Sequence, residues 1–260
     1  MNSPLILIAG GSSAAGVAVA GALLGAGMRV LTVGSDAGRI SAAAGLTPGA
    51  VPLVCNLADP EDVAELASDI REGYGPIDGL IHLVGGWRGG AGLTGQSDAD
   101  WEFLHTSVLT TLRNTSREFY GDLSASPVGR LAIVSSTTVT APGAGDANYA
   151  AVKAAAETWV RSVAAGFTQD ARNAAAPAVA APGEGAREGA REGDGKAEGG
   201  AAAVVLVVKA LVDEGMRTRS PERRFPGFTD VAVLGQALVD LFGTPAAGIN
   251  GARLLLDTIS

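Results

Sequence analysis

Short runs of consecutive apolar residues alternate along this chain with longer segments of helical period. Leu5–Ala9, Arg29–Val33, Val51–Cys55, Ile77–Val84, Leu131–Ser136, Ala201–Val208 and Ile249–Leu256 read as strands. Most are apolar throughout, the pattern of a parallel sheet covered on both faces. Residues 17–29, 61–73, 98–120, 149–166 and 230–242 carry helical patterns. Trp101, Leu104, Val108 and Leu112 recur at helical spacing and predict a buried or subunit-facing stripe. Asp59 before Pro60 predicts a capped helix start, and Thr229 is placed to cap the helix after it. The strand–helix alternation predicts an α/β protein: one doubly wound, mostly parallel seven-stranded sheet with helices on both faces, spanning residues 1–260. Residues 169–200 break the pattern. They are rich in Ala, Gly, Pro and charge, and the expectation is a flexible insertion or a lid.

Composition narrows the function classes. The chain has 260 residues, 47% of them hydrophobic but only 5% aromatic, so Ala, Val and Leu must fill the core. A formal charge of −8, with 19 basic against 27 acidic residues, gives no broad basic field for phosphates and argues against a nucleic-acid binder. The single cysteine, Cys55, excludes an intrachain disulfide scaffold and reads as a small buried hydrophobe. The start lacks a basic leader, and no segment reaches a membrane-spanning apolar length. The expectation is a cytoplasmic protein with no membrane partner.

Two stretches carry candidate chemistry. After the first strand, Gly10-Gly-Ser-Ser-Ala-Ala-Gly16 opens a helix. Glycines there allow a tight turn and close approach of a phosphate, and the helix start offers free N–H groups. Ser12 and Ser13 add hydroxyls. A purely structural turn is the plainer alternative. In the second stretch, the strand ending in Ser135 and Ser136 is followed by a loop and then by Tyr149 and Lys153, four residues apart in an Ala-rich helix. Such a pair shares a helix face, and an ammonium beside a phenol predicts a phenol pKa below about 10. A phenol so placed can exchange a proton with a substrate oxygen that Ser136 holds. The plainer reading is a capping serine, a packed tyrosine and a solvated lysine. His82, inside a strand, reads as a packed or hydrogen-bonded side chain, and no second clustered ligand accompanies it to suggest a metal.

Ser136, with Tyr149-Ala-Ala-Val-Lys153 thirteen residues on, resembles the active site of the short-chain dehydrogenase/reductase family. The glycine run resembles that family's TGxxxGxG, with Gly10 and Gly16 at the outer glycines and Ala14 at the middle one. The resemblance covers nearly the whole chain apart from 169–200. It implies a Rossmann-type fold, a homodimer or homotetramer, and an NAD(P)(H)-dependent oxidoreductase acting on a small or medium carbonyl or alcohol. By the same resemblance Ser136, Tyr149 and Lys153 are catalytic, and Tyr149 and Lys153 also touch cofactor. Gly10, Ser12, Ser13, Gly16, Ser35, Arg39, Asn56, Leu57, Gly85 and Gly86 are cofactor-binding. Gly34 takes the place of the ribose-reading acid, which favours NADP(H) over NAD(H), with Arg39 able to meet the extra phosphate and Asp36 able to oppose it. Gly85–Gly90, GGWRGG, is similar to a segment of dihydropteridine reductase, so Trp87 and Arg88 join Ser136 as substrate-binding candidates. A pterin-like C=N reductase is therefore a second reading. Three positions depart from the family pattern: Ala14, Val108 where a catalytic asparagine is usual, and Lys209 where a Pro-Gly turn is usual. They motivate a third reading, a dinucleotide-binding protein with regulatory or scaffolding use. Arg223 or Arg224, in the loop after the sixth strand, are placed to meet an anion or form surface salt links.

Overall fold

The computed structural model describes residues 3–176 and 200–256. Strands β1 (Leu5–Ala9), β2 (Arg29–Gly34), β3 (Val51–Val54), β4 (Gly79–His82), β5 (Arg130–Ser136), β6 (Ala202–Val208) and β9 (Arg253–Leu255) form one sheet. Its order is β3-β2-β1-β4-β5-β6-β9, and every pair is parallel. The order reverses between β1 and β4, so the crevice above their carboxyl ends is where such a sheet receives ligands.

The pleat divides the core. Leu5, Leu7 and Ala9 face one layer with helices α3 (Pro60–Gly73), α5 (Thr111–Glu118) and α7 (Ala147–Ala175). Ile6 and Ile8 face the other, with α1 (Ala14–Gly25), α9 (Val231–Gly243) and α10 (Ala246–Ile249). β1 is buried along its whole length, as its unbroken apolar run requires, and each fully buried Leu or Ile contributes roughly 1.5–3 kcal/mol. Short polar side chains start the helices. Ser13 caps α1, Asp36 caps α2 (Ala37–Gly45), and Asp59 caps α3 with Pro60 at its first position. Cys55 is buried, and loss of solvent pushes its thiol up to about 11.

Several expectations need correction. The helix expected at 98–120 is α4 (Asp98–Leu104), a π-helical stretch His105–Thr110 and then α5, with α6 at Tyr120–Ala125. Hydroxyls in that run bond back to the chain: Ser107 to the Phe103 carbonyl at 2.6 Å and Thr111 to that of Ser107 at 2.7 Å. Leu104, Val108 and Leu112 are buried, but Trp101 is 38% exposed and stacks on His105 instead. Asp230, not Thr229, caps α9, because its carboxylate accepts from the Ala232 amide at 2.9 Å. Thr229 is buried in β8 (Thr229–Asp230), which pairs with β7 (Leu211–Val212). The stretch expected as strand from Ile249 begins with α10 and a turn, where Gly251 has φ +79°. Residues 169–175 continue the Ala-rich helix α7 rather than starting an insertion, and residues 177–199 of that segment lie outside the described residues.

Candidate functional site

The β1–α1 turn is a cradle built by leaving atoms out. Gly10 has φ +86°, and a Cβ there would lie 2.9 Å from the Leu83 carbonyl carbon. A Cβ on Gly16 would lie 2.7 Å from the Gly10 oxygen. Ser13 donates its hydroxyl to the Gly10 carbonyl and accepts from the Gly16 amide, each at 3.0 Å, so its hydrogen is spent on the turn rather than offered to a ligand. Ser12 keeps its hydroxyl beside Gly34, where a Cβ would sit 3.5 Å away. Ala14 is exposed on the first turn of α1.

At the end of β2, Ser35 is exposed. The Asp36 carboxylate accepts from the Arg39 amide at 2.8 Å and lies 3.6 Å from its guanidinium. That pairing takes up the charge that could oppose a phosphate. After β3, the Asn56 side-chain oxygen accepts from the Ala58 amide at 3.3 Å while its residue stays exposed. Leu57 does not face the cleft: it is 5% exposed and part of the core beside α3. Asn114 ties this loop down, donating to the Leu57 and Ala58 carbonyls at 3.2 and 3.1 Å.

The three residues of the second stretch do converge. Ser136, Tyr149 and Lys153 line one cleft of about 780 Å³, which reaches Ser13 and Ala15 on the cradle side. Ser136 is 2% exposed, and its hydroxyl accepts from the Thr138 amide at 3.2 Å. The expected lowering of the phenol pKa is overturned. Burial raises Tyr149 above its ordinary value and Asp146 raises it further, while the Ser136 hydroxyl pulls the other way. Lys153 does not supply the counter-effect. Its ammonium donates to the Val134 carbonyl at 2.8 Å, lies 5.8 Å from the Tyr149 ring centre, and is pushed down to about 8 by its own burial.

Below these groups lies a polar support that the sequence reading missed. Glu157, four residues after Lys153 on α7, is 4% exposed. It accepts from the Ser135 hydroxyl at 2.6 Å and from Arg253 at 3.0 Å, and Arg253 also donates to the Ser136 carbonyl at 3.3 Å. Helix α7, β5 and β9 are thereby locked together. His82 approaches Thr111 at 3.0 Å. Because Thr111 spends its only hydrogen on Ser107, His82 Nε2 is the donor. Burial, with Lys153 adding to it, lowers His82 to about 3, so it is a neutral imidazole. Val108 is 3% exposed, faces Gly85, and shares with His82 and Lys153 a void of about 10 Å³, the lower limit for one water.

Gly85, Gly86 and Trp87 line the same cleft, with Trp87 62% exposed and its indole N–H donated to Asp146 at 3.2 Å. Arg88 is not among the lining residues. Its guanidinium lies 4.2 Å over the Phe103 ring and 3.6 Å from Asp100, so it is held on α4. Leu211, Met216, Arg223, Phe228 and Lys209 line the far side instead. Among the described residues no cluster of His, Cys, Asp or Glu is arranged for a metal ion, and no helix is long and apolar enough to cross a membrane.

The chain is similar to several known proteins. A 3-oxoacyl-acyl-carrier-protein reductase, FabG, of Salmonella typhimurium is 27% identical over 161 residues, 62% of this chain and 66% of the relative. The enzyme of that name from Escherichia coli matches to the same extent. The chain thus spans just under two thirds of the length of these curated relatives, 66% in each case. Among solved structures, an NADPH-bound short-chain oxidoreductase of Pseudomonas aeruginosa PAO1, described as containing an atypical catalytic center, superposes with a TM-score of 0.75 at 18% identity, over 97% of this chain and 95% of that one. A short-chain dehydrogenase/reductase family oxidoreductase of Burkholderia thailandensis gives 0.77 at 21% identity, over 99% and 92%. These likenesses show the fold. The model of the short chain dehydrogenase family itself matches residues 4–183. The chain therefore belongs to the short-chain dehydrogenase/reductase family.

Proposed function

We propose that this protein is an NADP(H)-dependent reductase of a small or medium carbonyl compound. The observation that carries the reading is the shared cleft: Ser136, Tyr149 and Lys153 line the space that also reaches the first turn of α1. The β1–α1 turn suits a dinucleotide phosphate, since Gly10, packed against the Leu83 backbone, and Gly16, packed against Gly10 and Gly11, have no room for a Cβ, and the α1 amino terminus opens at this turn. Gly10, Gly16, Ser12 and the α1 amides would hold the pyrophosphate, and Gly85 and Gly86, which line the cleft, would leave room for the nicotinamide half. The bound nicotinamide supplies the hydride. NADP(H) is favoured over NAD(H) because Gly34 leaves no carboxylate at the ribose-reading position, while the exposed Arg39, 3.6 Å from Asp36, is near enough to turn to a phosphate.

The residues of this chain handle the oxygen. Ser136 donates a hydrogen bond to the substrate carbonyl. Tyr149, kept protonated at neutral pH by its burial, gives its proton to that oxygen as negative charge develops on it. A phenol held in its acid form suits reduction rather than alcohol oxidation. Lys153 contributes an ammonium below about pH 8 and loses it above. Reduction is therefore expected to fall as pH rises through about 8. Turnover of a ketone panel with NADPH tests the reading. Tyr149→Phe should lower kcat by about 10²- to 10⁴-fold and leave NADPH affinity nearly unchanged. A turnover indifferent to that change would reject the assignment.

A further inference from the structure

The far wall of the cleft carries charge that the reduction does not need. Lys209 follows β6, and its ammonium donates one hydrogen to the Pro226 carbonyl at 3.1 Å. The loop is held against it: Gly227 has φ +77°, and a Cβ there would lie 3.2 Å from Lys209 Cδ. Two ammonium hydrogens remain. Arg223 lies 5.1 Å over the Phe225 ring, Phe225 packs on Phe228 at 5.5 Å, and Phe228 lines the cleft with Arg223 and Lys209. Among the described residues, five arginines lie within reach of a carboxylate, but neither Lys209 nor Arg223 does. The nearby acid Asp230 is taken by Arg217 at 3.0 Å. Asp146, the one carboxylate lining the cleft among the described residues, accepts from Trp87. Glu222, next to Arg223 in sequence, is not among the lining residues. The same cleft is lined by the apolar side chains of Val208, Leu211, Met216 and Phe228.

Two cations without a carboxylate in reach among the described residues, lining a cleft that also carries apolar side chains in a protein of net charge −8, point to an anionic ligand with an apolar part. We propose that the cleft takes a carbonyl substrate bearing a carboxylate or phosphate beyond an apolar spacer, with the anion held between Lys209 and Arg223. Arg223 offers a planar fork of donors and Lys209 a point charge, and the low-dielectric wall strengthens both. The inference rests on the reductase reading for the carbonyl end. The anion end stands on these side chains alone.

Two measurements test it. In the first, octanoate, octyl phosphate and neutral 1-octanol are titrated calorimetrically into the protein, with and without NADPH. The anions should bind about tenfold or more tightly than the alcohol, and the Lys209→Gln/Arg223→Gln double variant should abolish that ratio. The two anions separate carboxylate from phosphate preference. In the second, 7-oxooctanoate is compared with its methyl ester. The ratio of their kcat/KM should favour the acid by about tenfold, shrink with added salt and collapse in the double variant. Taking the ratio within each protein cancels any general loss of activity. Equal binding of octanoate, octyl phosphate and octanol, or a preference that survives in the double variant, overturns the proposal. So does NADPH binding weakened about tenfold by the double substitution, which would assign these cations to the cofactor. A protein that binds the anions but not NADPH refutes the reductase reading and leaves the anion site supported.

Discussion

At the β1–α1 end of the cleft the chain works by omission, whereas at the β5–α7 end it works by burial of polar groups. Gly10 and Gly16 sit where a Cβ would strike backbone at 2.9 and 2.7 Å. Ser135, Glu157, His82 and Lys153 instead bring hydroxyl, carboxylate, imidazole and amine into the interior, all hydrogen-bonded. The first end is sensitive to atoms added, the second to atoms removed. A backbone cradle needs no protonation state and holds an anion over a wide pH range. A cluster of buried titratable groups fixes which proton is available, and so makes the second end pH-dependent.

At neutral pH, substitutions break this contrast in order of size. The largest effect is expected for Glu157→Ala, which leaves Ser135 and Arg253 without their shared acceptor. Loss of a buried partner should lower stability by about 3 kcal/mol, read as a shift in the denaturant midpoint. Next is Gly16→Ala at the other end. Its methyl must displace the Gly10 and Gly11 backbone, at about 1–3 kcal/mol, and NADPH affinity should fall with it. If Gly16→Ala binds NADPH normally, the cradle is not what holds the phosphates.

The third is a slope. His82 is lowered from 6.5 to about 3 in the folded chain. Below about pH 6.5 the unfolded chain therefore binds one more proton than the native one. Stability should fall with acid between about 6.5 and 3 by up to about 1.4 kcal/mol per pH unit. His82→Gln should flatten that part of the pH–stability curve by this amount. The smallest is Asp36→Ala. It removes the cap of α2, worth about 1 kcal/mol, and frees Arg39 from its carboxylate partner, so the NADPH-to-NADH affinity ratio should rise modestly.

The contrast also decides what the sequence could reveal. Gly10 and Gly16 were legible because few residues substitute for glycine at a crowded turn. Ser136, Tyr149 and Lys153 were legible because their order and spacing belong to one strand and one adjoining helix. The β1–α1–β2 pattern and the strand count followed from unbroken apolar runs. What stayed hidden depends on partners distant in sequence. The Glu157–Arg253 bond joins residues 96 positions apart. Its one local signal was that Glu157 continues the face of Tyr149 and Lys153, one helical turn on. Arg88 was drawn away by Phe103 and Asp100 on α4, which no local pattern announces. The Tyr149 shift was misjudged because four-residue spacing gives proximity but not burial, and burial set the sign. Leu57 failed similarly: position beside Asn56 suggested the cleft, but its apolar side chain went to the core.

The central claim is that one cleft joins a dinucleotide cradle to an acid phenol. Titration of NADPH followed by tryptophan fluorescence tests it most directly, since Trp87 lines that cleft. The account predicts saturable quenching with a dissociation constant of about 1–100 μM, reversed by NADP⁺. Absence of quenching up to millimolar NADPH or NADH would contradict it.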